Sequence, residues 1–270
     1  RPGIVMPNFW PGGLAVRKDV LEGDTDEQMR ALWYYFSLGR SARDPSGIRS
    51  IGTDLKVTDR VRVYRGRSRI AGYRGIAVGF PGGVSYAFNA EYGSLSGLWK
   101  GDFVSVGWGG QGAGNFNPRG RPIELAQDVA FYRLEKEDDR WPLRPRMDKD
   151  NPVNPDPLYP RNQGYQFKGY QIDKNGVPTF IYQTGEVEVE DTSVAGVAEA
   201  IRDDLVRNIQ FTAPKPETVY LRALTGRLQQ RSGTEFTSDA VKLQVPEGTA
   251  LLRGEGEKQE LLLKLKLLKG

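Results

Sequence analysis

The sequence predicts a mainly β protein: an antiparallel β-sandwich spanning roughly residues 50–270, behind a short helical N-terminus. Three observations carry this. Residues 73–103, YRGIAVGFPGGVSYAFNAEYGSLSGLWKGDF, are rich in Gly, aromatic and β-branched residues and show no helical period. Two-residue alternation of apolar and polar side chains then recurs as far as Leu261–Leu268. A helical period occurs clearly only near the start, between residues 25 and 38.

The elements follow in chain order. Asp24 is a suitable N-cap, with Glu27 three residues on as a capping box requires. Met29, Leu32, Trp33 and Phe36 follow at helical spacing, and Gly39 stands where a C′ glycine belongs. The spacing therefore predicts a helix over Thr25–Leu38 with one aromatic, apolar face. A helix of that length needs a partner surface. Residues 41–50 hold Pro45 and Gly47 without apolar period, a linker that sets domains of 1–45 and 46–270. Val61–Arg65 alternates as a strand, and Gly66 ends it. The central stretch reads as strands near Ile76–Phe80, Val84–Asn89, Gly93–Trp99 and Phe103–Trp108, with Pro81-Gly82-Gly83 as a turn. Val84, Tyr86 and Phe88 alternate with Ser85 and Ala87, as on a half-buried strand. Val129–Arg133 adds another strand.

Residues 135–161 are charged and contain six prolines, which forbid long regular structure. They read as a surface loop or as a hinge between two β-units. Asn175-Gly176 between two alternating runs signals a hairpin of Tyr165–Asp173 with Pro178–Tyr182. Glu186–Asp191 is the next strand. After a short helical stretch near Val194–Ala200 come strands at Leu205–Thr212, Thr218–Leu224, Ala240–Val245 and Leu261–Leu268. In the last, Leu261, Leu263, Leu265 and Leu267 face one way and Lys264 and Lys266 the other.

Composition narrows the chemistry. With 270 residues the chain can bury a sizeable core. It contains no Cys, hence no disulfide, thiolate nucleophile or zinc–thiolate site, and no His, hence no Ser–His triad or His-ligated metal of its own. Carboxylates, Lys and Tyr remain for acid–base work. A net charge of +4 does not imply nucleic acid, and no apolar run is long enough to span a bilayer. Residues 40–74 hold ten Lys/Arg against three Asp, either a solvated face or a site for an acidic partner. The chain opens at Arg1, as a processed or truncated product does.

Several constellations have chemical potential. Trp99, Trp108 and Trp141, with Tyr92 nearby, offer flat apolar area suited either to a sandwich core or to a carbohydrate-stacking platform. Glu186, Glu188 and Glu190 share one strand face, which suits a solvated surface better than a catalytic pair. A carboxylate-dependent glycan-active enzyme would need an acid pair in a cleft. Asp148, Asp150, Asn151, Asn154 and Asp156 are oxygen donors of the kind calcium uses, without EF-hand spacing. Gly107–Gly114 is glycine-rich but lacks the Lys-Ser/Thr ending of a P-loop.

The first 45 residues also carry a resemblance. Ile4-Val5-Met6-Pro7-Asn8-Phe9-Trp10-Pro11, then Leu21 and Gly23-Asp24, then Ala31-Leu32-Trp33-Tyr34-Tyr35 resemble the end of a class I c-type cytochrome. The resemblance implies that Met6 is an axial ligand of haem iron. It places Pro7, Phe9 and Trp10 beside haem c, and makes Met29, Leu32, Trp33 and Phe36 a packing face toward the haem-attachment helix. The chain departs from the family in lacking Cys-x-x-Cys-His, so a companion polypeptide must carry the attachment site. The segments Gly79–Phe88, Leu98–Phe103, Phe167–Tyr170 and Gly176–Tyr182 resemble an uncharacterised β-domain at the C-terminal end of large c-type cytochrome proteins of planctomycete-like bacteria. This implies a periplasmic or extracellular, non-catalytic module supporting electron transfer with a redox partner protein. The alternative is a carbohydrate-binding β-sandwich.

Overall fold

The structure, a computed structural model, describes residues 11–14, 18–42, 53–107, 114–147, 149–150, 153–196 and 204–270. The chain divides into two compact units, Arg1–Ser50 and Ile51–Gly270.

In the first unit, helix α1 runs Thr25–Ser37. Asp24 caps it: its side chain accepts from the Glu27 backbone N–H at 2.8 Å. Glu27 does not complete a reciprocal box; its carboxylate pairs forward with Arg30 at 2.9 Å. Gly39 follows with φ of 51°, the left-handed conformation that ends a helix cheaply. Among the described residues no helix is long and apolar enough to cross a membrane.

The second unit is mainly β, and every strand pairing among the described residues is antiparallel. Its first part holds β1 (Thr53–Leu55), β2 (Arg62–Ser68), β3 (Gly72–Gly79), β4 (Val84–Asn89), β5 (Ser94–Lys100), β6 (Asp102–Gly107), β7 (Asn115–Arg119) and β8 (Ile123–Glu124). They form a five-stranded sheet, β2-β3-β4-β5-β8, and a three-stranded sheet, β1-β6-β7. The Pro81-Gly82-Gly83 turn forms as expected, with both glycines at positive φ.

The second part holds β9 (Phe131–Tyr132), β10 (Tyr165–Ile172), β11 (Pro178–Thr184), β12 (Val187–Ala195), β13 (Leu205–Thr212), β14 (Glu217–Thr225), β15 (Gln229–Gln230), β16 (Glu235–Thr237), β17 (Lys242–Gln244), β18 (Ala250–Arg253) and β19 (Glu260–Leu267). These give sheets β10-β11-β12-β13, β18-β19-β14-β9 and β15-β16-β17. The β10–β11 hairpin closes on Asp173, whose side chain accepts from the backbone N–H groups of Asn175 and Val177. Gly176 takes the left-handed position with φ of 88°.

The core corrects one expectation. β4 is buried on both faces rather than one. Tyr86 and Phe88 point into a large cluster shared with Phe180, Tyr182, Val187 and Val189 of one sheet and Val219, Leu221, Leu261 and Leu263 of another. Ala77 and Ala87 point the opposite way, onto Phe103, Val104, Val106 and Phe116. The central sheet is therefore the middle layer of three. The small residues that alternate along it are small because β6 and β7 lie against them.

Two further corrections concern the later chain. Val194 and Ala195 continue strand β12, where a helical stretch was expected from Val194; residues 197–203 lie outside the description. Leu262, on the supposed polar face of β19, is fully buried against Leu134, Trp141 and Tyr220. The large cluster joins residues on both sides of the proline-rich stretch. That stretch wraps over β14 and β19. Trp141 of this stretch packs with Tyr220 of β14 and Leu262 of β19, and Glu137 pairs with Lys264.

Candidate functional site

The most exposed aromatic surface among the described residues belongs to α1. No residue of the helix is buried. Trp33 is 77% exposed and Phe36 70%, with Met29 and Leu32 also exposed. These four stand at i, i+3, i+4 and i+7, so one side of the helix is a continuous apolar strip. The local fold holds that strip in place at its start. Asp24 fixes the N-terminus, and the Gln28 side-chain amide donates to the Val20 carbonyl at 2.7 Å. Met6, Pro7, Phe9 and Trp10 lie outside the described residues. Of the candidate haem-side residues, Leu32 and Trp33 thus lie on one described element.

The tryptophan platform is not formed by Trp99 or Trp141. Trp99 is 3% exposed and Trp141 5%. Each indole N–H donates to backbone: Trp99 to the Phe103 carbonyl at 2.9 Å, Trp141 to the Val129 carbonyl at 3.0 Å. They belong to different clusters, Trp99 with Phe103 and Trp141 with Tyr132, Tyr220 and Leu262. A buried ring with a satisfied N–H is core, so neither offers a face to a sugar. Trp108 lies outside the described residues, as does most of the glycine-rich loop.

Glu186, Glu188 and Glu190 are exposed, as the strand period requires. Glu186 pairs with Lys215 at 2.8 Å, and the hydrogen bond from that lysine holds its carboxyl below the usual range. In the oxygen-rich loop, Asp148 and Asn151 are outside the description. The Asp156 carboxylate accepts from the backbone of Leu158 and Tyr159 and from the Asn162 side chain. Asn154 accepts from the Asp156 N–H. These two side chains thus serve turns of their own loop. Among the described residues no group of three or more Asp and Glu is placed to hold a metal ion.

The structure reveals a polar centre that the sequence reading passed over. Asp191 is 1% exposed and faces the core between β11 and β13. Arg207 donates to both its oxygens, at 3.0, 3.2 and 2.6 Å, and the Tyr182 hydroxyl donates at 2.8 Å. Burial would depress the Arg207 guanidinium, but the Asp191 charge and hydrogen bonds outweigh it and move it upward. Burial, then the Asp191 charge, raises the phenols of Tyr86, Tyr165 and Tyr182. The signal was available. The two-residue period places Asp191 with Val187 and Val189, on the inward face, not with the glutamates. The adjoining cavity holds only about 40 Å³. A carboxylate so fully bonded, beside so small a space, fixes the packing of two strands rather than meeting a substrate.

No protein-family model, no curated protein and no solved structure matches this chain.

Proposed function

We propose that this chain is the C-terminal part of an exported c-type cytochrome. On this reading residues 1–45 form one side of a haem domain, and residues 46–270 form a non-catalytic β-domain beside it. The haem is attached by polypeptide outside this sequence, since neither Cys nor His occurs within it. The observation that carries the reading is the capped helix α1 with its bare strip of Met29, Leu32, Trp33 and Phe36. An apolar strip of this size on a thirteen-residue helix is unstable in water without a covering surface. The haem-attachment helix of a cytochrome is such a surface, and the Met-Pro-aromatic loop ahead of α1 suits the same site.

These residues fit one side of a haem pocket and no more. Leu32 and Trp33 supply apolar packing, and Met6 supplies a thioether. Thioether ligation of haem iron, which carries single electrons, raises its potential. The proximal donor must come from the companion polypeptide.

Native material purified from its source tests this. Haem staining and intact mass should reveal covalent haem in the assembly that contains this chain. A Met6→Ala variant should keep that haem and lose the weak sulfur-to-iron absorption at the red end of the oxidised spectrum. Haem-free native assembly, or an unchanged spectrum in the variant, rejects the proposal.

A further inference from the structure

Part of the basic excess of residues 40–74 lies on β2 and β3. β2 and β3 pair with Arg65 opposite Ile76 and Val63 opposite Val78. Arg74 stands two residues before Ile76 on β3, so the pleat puts Arg65 and Arg74 on the face that carries Ile76 and Val78 into the core. Here the core opens outward. Arg65, Tyr73, Arg74, Ile76, Ala90 and Phe167 line a groove of about 460 Å³, within the size range of small-molecule sites.

The walls are held from behind. Phe167 lies 6.3 Å from Phe88, ring centre to ring centre. Tyr73, 70% exposed, has the Arg67 guanidinium 4.5 Å from its ring, and its backbone N–H donates to Glu91 at 3.1 Å. The Arg65 guanidinium sits 5.8 Å from the Tyr170 ring. Arg69, Arg133, Arg207, Arg222 and Arg253 each pair with a carboxylate. Arg65 and Arg74 make no ion pair among the described residues. Two cationic forks thus stand beside a wall of Ile76, Ala90 and Phe167.

The geometry points to a binding site for a small aromatic carboxylate, its carboxylate held by Arg65 and Arg74 and its ring laid along Ile76 and Phe167. A guanidinium fork matches a carboxylate in shape and charge. Among the described residues no Asn, Gln, Ser, Thr, Asp or Glu side chain lines the groove, so it offers little to satisfy the hydroxyls of a neutral sugar. A planar apolar body with one anionic end leaves no such group unpaired. This site is independent of the cytochrome reading.

Calorimetric titration of the full chain with 2-naphthoate tests it, with 2-naphthamide as the neutral counterpart and phenyl phosphate as a different anion. Naphthoate should saturate one site, with affinity falling as salt rises. Arg65→Gln and Arg74→Gln should each weaken it about ten-fold or more, the loss expected for a charged hydrogen-bonded contact. Both arginines are exposed, so unchanged melting curves will show that the variants fold. Naphthamide should bind about ten-fold more weakly than naphthoate. Phe167→Leu should weaken naphthoate while leaving the salt dependence intact. No saturation by about 10 mM, equal binding of the amide, or unchanged affinity in both arginine variants overturns the proposal. Tighter binding of phenyl phosphate overturns the carboxylate assignment.

Discussion

At the scale of single residues, the second unit is organised by polar groups taken out of water together. Asp191, Arg207 and Tyr182 form a closed set, and Tyr86 and Tyr165 stand within reach of the same charge. Burial is the larger cause of the raised phenols, and the negative charge of Asp191 adds to it. The consequence for stability has a definite sign. A tyrosine whose folded pKa lies above its unfolded value of about 10 contributes nothing pH-dependent below pH 10. Above that pH the unfolded chain loses the proton and the folded chain keeps it, so stability falls as pH rises toward the folded pKa. Each such tyrosine removes about 1.4 kcal/mol per pH unit in that window. Three of them make alkaline unfolding steep. Absorbance titration of phenolate should therefore show Tyr86, Tyr165 and Tyr182 ionising only as the fold is lost, in step with circular dichroism. Smooth ionisation of all twelve tyrosines before any change in the dichroism would contradict their burial.

At the scale of elements, the sheets are joined by aromatic contacts. Phe88 of β4 and Phe180 of β11 stack with centroids 3.9 Å apart and planes within 2°. Each is 1% exposed. Phe180→Ala should then cost about 3–5 kcal/mol, as large-to-small changes of buried aromatics do. A urea titration measures it, and a loss below about 1 kcal/mol would mean that the two sheets are not held at this point. The sequence makes some of these elements plain and hides others, for physical reasons. α1, β4, β10 and β13 carry long, regular patterns with caps or turn residues at their ends, and their limits fall within a residue or two of the sequence reading. β8 and β15 are two residues long, too short for any period to register, whereas β9, equally short, lies inside the apolar run Val129–Arg133 that reads as a strand. Burial of the second face of β4 was hidden because Ser85 and Ala87 look the same whether they meet water or another sheet. For the candidate sites, the apolar strip on α1 was legible because helical spacing places Met29, Leu32, Trp33 and Phe36 together without tertiary information. The Arg65–Arg74 pair was not. It depends on the β2–β3 register and on Phe167, about a hundred residues away in the chain.

At the scale of the whole molecule, the question is which parts of the chain depend on one another. Every described residue of the three core clusters lies from Leu55 to Leu267. Within them the large cluster draws on the β2–β5 strands before the proline-rich stretch and on β11, β12, β14 and β19 after it. The second unit therefore has what it needs to fold by itself, and its two halves have no separate cores with which to unfold separately. A fragment of residues 47–270 should melt in a single cooperative transition, within about 2 °C of the transition seen for the β signal of the full chain. A peptide of residues 1–46, by contrast, has among its described residues a single α-helix, of thirteen residues, and should show little helicity in water. Its helicity should rise when a surface that covers Trp33 and Phe36 is supplied, for which a haem-bearing N-terminal fragment of a class I cytochrome c is the direct probe. Two transitions in the larger fragment would show that the proline-rich stretch separates independent halves after all. Strong helicity in the short peptide alone would show that α1 needs neither a covering surface nor a companion polypeptide.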